Sequence, residues 1–140
     1  MSSSFVKFYQ LVEDIAKGVH QFHAAGHTLK AYLSNGVPNV ATQAVKGDLA
    51  EITNEHGYAP VDIENDVSRS NGTLSLTAVD KVITANGGTV GPFRYVVIYN
   101  DSVSSPLKPL IGYADYGSAI TLQDGETFTI DFGSSVIDIT

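Results

Sequence analysis

Turn signals break most of this chain into short β-prone runs, and that punctuation limits the fold more than any other feature. The stretches "FRYVVIYN", "LKPLIGYADYG", "AITLQ", "ETFTIDFG" and "SVIDIT" are rich in β-branched and aromatic residues, and Asp124-Gly125 marks a tight turn among them. Upstream, residues 27–33 alternate with Leu29, Ala31 and Leu33 on one face and stop at Asn35-Gly36. Residues 61–68, read as one extended strand, put Val61, Ile63 and Val67 opposite Asp62, Glu64 and Asp66. Asn71-Gly72 suits a two-residue hairpin turn, and residues 79–84 form a further strand ended by Asn86-Gly87-Gly88. About seven or eight such strands favour an antiparallel sandwich or barrel over parallel units joined by crossover helices.

Two segments carry the other period. Phe5, Phe8, Val12, Ile15 and Val19 recur at steps of three and four, which predicts one amphipathic helix over residues 4–17. Ser4 would cap it, Gly18 would stop it, and Lys7, Glu13, Asp14 and Lys17 would face solvent. Its apolar stripe either covers an end of its own domain or packs on a neighbouring subunit. Val45, Leu49 and Ile52 suggest a second, short helix within residues 40–52, although Gly47 weakens it. The expected fold class is therefore mainly β, an antiparallel, jelly-roll-like β-sandwich with an N-terminal amphipathic helix.

A chain of 140 residues, 43% hydrophobic and 16% charged, fits one domain with a sizeable core. Residues 1–140 are read as that single domain, with 1–19 its helix or arm. No apolar run approaches the roughly 18 to 20 residues that cross a bilayer, and the start lacks signal-peptide character. A soluble, cytoplasmically made protein without a membrane partner is expected. A formal charge of -7 repels phosphate backbones, so nucleic acid is not an expected partner. The absence of cysteine excludes disulfides, thiolate metal sites and a cysteine nucleophile.

Catalytic and metal signatures are sparse. His20, His23 and His27 do not share a helical face if the chain turns after Gly18, and zinc needs three or four convergent ligands. Asp62, Glu64 and Asp66 would spread along a strand rather than wrap a cation. The serine-rich pieces lack a nucleophile elbow, and "NGGTVGP" lacks the lysine and helix of a phosphate-binding loop. Tyr95, Tyr99, Tyr113 and Tyr116 serve either as cross-strand packing or as a sugar-stacking platform. No catalytic residue, metal or cofactor is therefore assigned.

Arg94, inside "GPFRYVVIYND", poses the sharpest question. Strict alternation places Phe93, Tyr95, Val97 and Tyr99 on one face and Arg94, Val96, Ile98 and Asn100 on the other. Both faces are largely apolar, as in an interior strand. Arg94 near the strand's start can lay its stem on apolar surface and meet a carboxylate, from its own chain or from a neighbour.

"SFVKFYQLVEDIAKGVHQF", "HTLKAYLSN", "DLAEITNEHGY", "GGTVGPFRYVVIYND", "PLIGYADYGSAITLQDGETFTI" and "SSVIDIT" occur in that order along nearly the whole chain. In this the sequence resembles a family of small virion structural proteins of tailed bacteriophages and prophages. Size, acidity and expected sandwich are similar to jelly-roll cement, or decoration, proteins that bind the capsid exterior. The resemblance implies a non-enzymatic role, with the major capsid protein and further copies of itself, as a homodimer or other homo-oligomer, as partners. Phe5, Phe8, Val12, Ile15 and Arg94 are the candidate interface residues. A tail or fibre component and a carbohydrate-binding module are the alternatives.

Overall fold

The computed structural model describes residues 5–139. In chain order the elements are β1 (Val6–Lys7), α1 (Tyr9–Ala16), β2 (Leu29–Ser34), a 3-10 turn (Lys46–Asp48), β3 (Val61–Asp62), β4 (Asp66–Ser70) and β5 (Thr73–Thr77). β6 (Lys81–Thr84), β7 (Val90–Asn100), β8 (Leu110–Leu122), β9 (Thr127–Ile130) and β10 (Ile137–Ile139) complete them. The protein is mainly β, built of antiparallel sheets with one short helix. Among the described residues ten strands replace the seven or eight expected, partly because the N-terminal segment joins a sheet as β1 and the strand expected over 61–68 divides into β3 and β4.

β7 and β8 are the long central pair of a five-stranded sheet ordered β1-β8-β7-β2-β3. β10-β5-β4 form a second sheet and β6-β9 a third. One large apolar cluster draws on all three: Leu33 and Ile98 from the first, Leu76 and Ile137 from the second, Ile83 and Phe128 from the third. A second cluster, with Tyr32, Tyr95, Val97 and Tyr99, lies on the opposite face of the large sheet and is closed by Phe8 and Leu49. β7 is therefore covered on both sides, which its nearly unbroken apolar run anticipates.

Strict alternation along β7 fails at one point. Phe93 packs with Val96 and Ile98 in the first cluster, whereas Tyr95, Val97 and Tyr99 belong to the second. The register with β8 shifts between Phe93 and Tyr95. Between the pairs that these two residues make, β7 advances two residues and β8 advances five, so the regular pairing that would keep strict alternation is interrupted there. Phe93 so reaches Phe128 edge-on, with ring centroids 4.9 Å apart.

The N-terminal segment departs further from expectation. Residues 6–7 are a strand, paired with Gly112 and Tyr113 of β8, and the helix starts only at Tyr9. The backbone of β1 fits closely against Gly112, where an added Cβ would lie 2.9 Å from the Val6 carbonyl oxygen. Phe8 continues that attachment, its N–H donating to the Ile111 carbonyl at 3.1 Å. With Phe5 and Phe8 outside the helix, the phase is set by Leu11, which is buried, and Val12 and Ile15 turn outward. Asp14, expected in solvent, is buried too. The expected cap, Ser4, lies outside the described residues.

Two smaller corrections share a cause, side chains that capture backbone N–H groups. Within residues 40–52 only a 3-10 turn forms, because the Asp48 carboxylate accepts the Ala44 and Val45 N–H groups at 2.9 and 3.1 Å. The strand expected over 61–68 breaks into β3 and β4, which lie in different sheets. At the break Glu64 has φ +50° and its N–H donates to Asp62 Oδ1 at 2.8 Å. Asp62, Glu64 and Asp66 remain exposed while Ile63 is buried, so the burial alternation survives the broken strand. Conversely, "LKPLIGYADYG" and "AITLQ" merge into the single strand β8. The Asn71-Gly72 hairpin forms as expected, with Ser70 opposite Thr73 and Asn71 at φ +53°.

Candidate interaction surface

Arg94 and Asp115 stand on neighbouring strands, β7 and β8. Arg94 Nε donates to Asp115 Oδ1 at 2.8 Å and Nη2 to Oδ2 at 3.0 Å, a bidentate pair about two-fifths exposed on each side. The guanidinium, followed by the Gly117 N–H, holds the Asp115 carboxyl below its usual range. Asp115 in turn raises Arg94. The acid that Arg94 meets comes from its own chain, and the guanidinium also lies 5.5 Å from the Tyr95 ring. As a planar cation already bound to a carboxylate, it offers little to an anionic substrate.

The other interface candidates divide sharply. Phe8 is fully buried within its own chain and so forms part of the domain's core. Phe5 is half-buried and stacks on Phe132 at 5.6 Å. Val12 and Ile15 are 56% and 37% exposed. Two neighbours missed in the sequence join them, Val6 at 48% and Tyr9 at 63%. Val6, Tyr9, Val12 and Ile15 follow one another at steps of three, so the stripe starts on the edge strand and continues along the helix. The signal was present in the sequence, but a helix begun at residue 4 assigned it the wrong phase.

Beside this stripe two sheet edges approach each other. β1 ends the five-stranded sheet and β10 ends the three-stranded one. A groove of about 760 Å3 runs between them, lined by Phe5, Val6, Tyr9, Phe132, Val136 and Ile137 among others. A smaller one of about 220 Å3 lies between α1 and β10, against Leu11, Val12, Ile15 and Ile139. Unpaired strand edges beside apolar side chains accept another backbone readily. The acidic strand face of Asp62, Glu64 and Asp66 lies elsewhere, at β3 and β4. There Glu64 pairs with Lys81.

The tyrosines act as packing. Tyr95 meets Tyr113 edge-on at 6.0 Å, Tyr99 meets Tyr32 at 5.5 Å, and Tyr116 meets Phe128 at 5.6 Å. Lys46 lies 4.8 Å over the Tyr32 ring and 5.4 Å over that of Tyr99, and its ammonium binds Glu51 Oε1 at 2.6 Å. Tyr58 donates to the other Glu51 oxygen at 2.7 Å and accepts the Leu33 N–H at 2.9 Å. Burial pushes the Tyr32 and Tyr58 hydroxyls well above their usual range, so both remain neutral donors.

Of the histidines, His23 is exposed, while His20 and His27 both reach the buried Asn100 side chain. Among the described residues no three histidine or carboxylate groups converge to hold a metal ion. No described helix is long and apolar enough to cross a membrane. Comparison with protein-family models, with curated proteins and with solved structures gives no match to this chain.

Proposed function

We propose that this protein is a non-enzymatic structural component of a tailed-phage virion, a cement protein that binds the outside of the capsid and stabilises it. The observation that carries this reading is the exposed apolar stripe of Val6, Tyr9, Val12 and Ile15 beside two open sheet edges. On a chain of net charge -7 it is an apolar contact surface on an otherwise acidic molecule. The resemblance of the sequence to small phage virion proteins supplies the setting. A jelly-roll-like sandwich is the arrangement we propose for the three sheets, supported by the one apolar cluster they share.

The mechanism is linkage. A protein that binds the assembled shell and not its separated subunits stabilises the shell by mass action. Contacts repeated by symmetry add through avidity, so a small patch on each copy is sufficient. The partners are the major capsid protein and other copies of this chain, and the place is the virion exterior after synthesis in the host cytoplasm. Purified protein added to capsids depleted of it is expected to rebind and raise their resistance to heat. Stripped heads that neither bind it nor gain heat resistance would overturn the reading. A few copies per virion instead of hundreds, measured by gel densitometry, would move it to the tail.

A further inference from the structure

The side chain of Asn100, fully buried at the end of β7, is oriented by its surroundings. Its Oδ1 accepts the Ser102 N–H at 3.0 Å, which assigns the other amide position as NH2. That NH2 has two hydrogens and two partners, His20 Nδ1 at 3.0 Å and His27 Nδ1 at 2.9 Å. Both imidazoles must therefore present an unprotonated Nδ1. An independent contact agrees, because His27 Nδ1 also faces the Gln21 backbone N–H at 3.2 Å. A backbone N–H can only donate.

We propose that Asn100, His20 and His27 form an acid-sensitive latch that holds the segment between α1 and β2 closed while both imidazoles are neutral, and releases it when either is protonated. A proton on Nδ1 sets one N–H against another. Turning the Asn100 amide cannot relieve this, since Ser102 would lose its acceptor and the second imidazole would face an oxygen. The segment has ties that the latch supports. The His27 N–H donates to the Gln21 carbonyl at 2.8 Å, and Asn65 Nδ2 donates to the Phe22 and His27 carbonyls at 2.9 and 3.0 Å.

Ionisable groups around the segment come from several elements. Burial is the main influence on His20 and pushes it down to about 4, against attraction from Asp14 on α1 and together with repulsion by His27. Asp66 on β4 accepts the Ala24 and Val67 N–H groups at 3.2 and 2.8 Å. Asp101, just after β7, is held by Lys30 at 3.1 Å and Lys108 at 3.5 Å. His20 Nε2 and Asp14 Oδ2 are buried without a hydrogen-bond partner among the described residues. The sign follows: with a folded value below the ordinary 6.5, the closed form is fully favoured above about 6.5 and loses ground as pH falls toward about 4.

Long-range 1H–15N NMR of the intact protein at neutral pH is expected to find His20 and His27 both in the Nε2–H tautomer. Either ring in the Nδ1–H tautomer overturns the proposal. Amide exchange, corrected for intrinsic rates, is expected to lose protection at Gly26 and His27 by up to about tenfold per pH unit between pH 6.5 and 4. The β7 amides should keep theirs over the same range. Unchanged protection at Gly26 and His27 while His20 titrates also overturns it. Asn100→Asp supplies an acceptor in place of the NH2, and is expected to raise the His20 pKa and keep the segment closed at pH 5. If that variant is unfolded, the tautomers and exchange of the unaltered protein still decide.

Discussion

The centre of β7 and the corner formed by β1 and α1 are built from the same kinds of residue and have opposite fates. Val96, Val97, Ile98 and Tyr99 have a strand on either side and an apolar cluster on each face. Val6, Tyr9, Val12 and Ile15 belong to a two-residue edge strand and an eight-residue helix, and among the described residues their side chains stay largely exposed. Hydrophobicity alone does not place a residue in the core. The number of flanking elements does, and at the β1–α1 corner the fold has run out of them.

Truncation in the doubly covered centre has the largest expected effect. Ile98→Ala should lower stability by about 2 to 5 kcal/mol, because neighbours held on both faces cannot collapse into the space. Urea denaturation followed by far-UV circular dichroism measures this. A loss near 1 kcal/mol would mean that the two faces are less tightly held than their burial implies. Next comes the polar support of the tyrosine face. Glu51→Ala leaves Lys46 without its carboxylate and Tyr58 without an acceptor, both largely buried, for about 1 to 3 kcal/mol.

Asp115→Asn should do much less, since its pair with Arg94 is two-fifths exposed and screened by water. Its effect carries a pH signature. A carboxyl held below its usual range contributes stability above its unfolded value of about 3.9, and that contribution disappears as pH falls through the lower folded value. The denaturation midpoints of the wild type and Asp115→Asn should therefore differ slightly at pH 7 and converge in strong acid. A gap that widens on acidification would mean that Arg94 is not the partner that matters.

The sequence exposes the same contrast unevenly. The interior character of β7 is legible because a strand buried on both faces needs an unbroken apolar run, and few other structures do. The hairpin at Asn71-Gly72 is legible because the turn depends on two adjacent residues. The bulge that moves Phe93 is not, since it depends on register with β8, a pairing between distant segments. Asp14 and Asn100 are polar residues buried by what the rest of the chain brings to them, and periodicity carries no trace of that. The N-terminal stripe was visible but mis-phased. Phe5 and Phe8 share the three-and-four spacing of the helix by coincidence, while the close fit of β1 over Gly112 draws that stretch into the sheet.

The smallest expected effect on folding tests the corner. Val12→Ser removes an apolar side chain that is more than half exposed, so stability should change by no more than about 0.5 kcal/mol. Adjacent Leu11 has the opposite role, since its side chain is buried in the main cluster. If the proposed capsid role is right, Val12→Ser combined with Tyr9→Ser should keep the wild-type denaturation midpoint and lose binding to depleted capsids. Retained binding would take the interface away from this stripe. A marked loss of stability would show instead that the stripe is covered by its own chain and that the corner is a smaller version of the β7 core. Only the pairing of normal folding with failed binding identifies an apolar surface that is kept open for a partner.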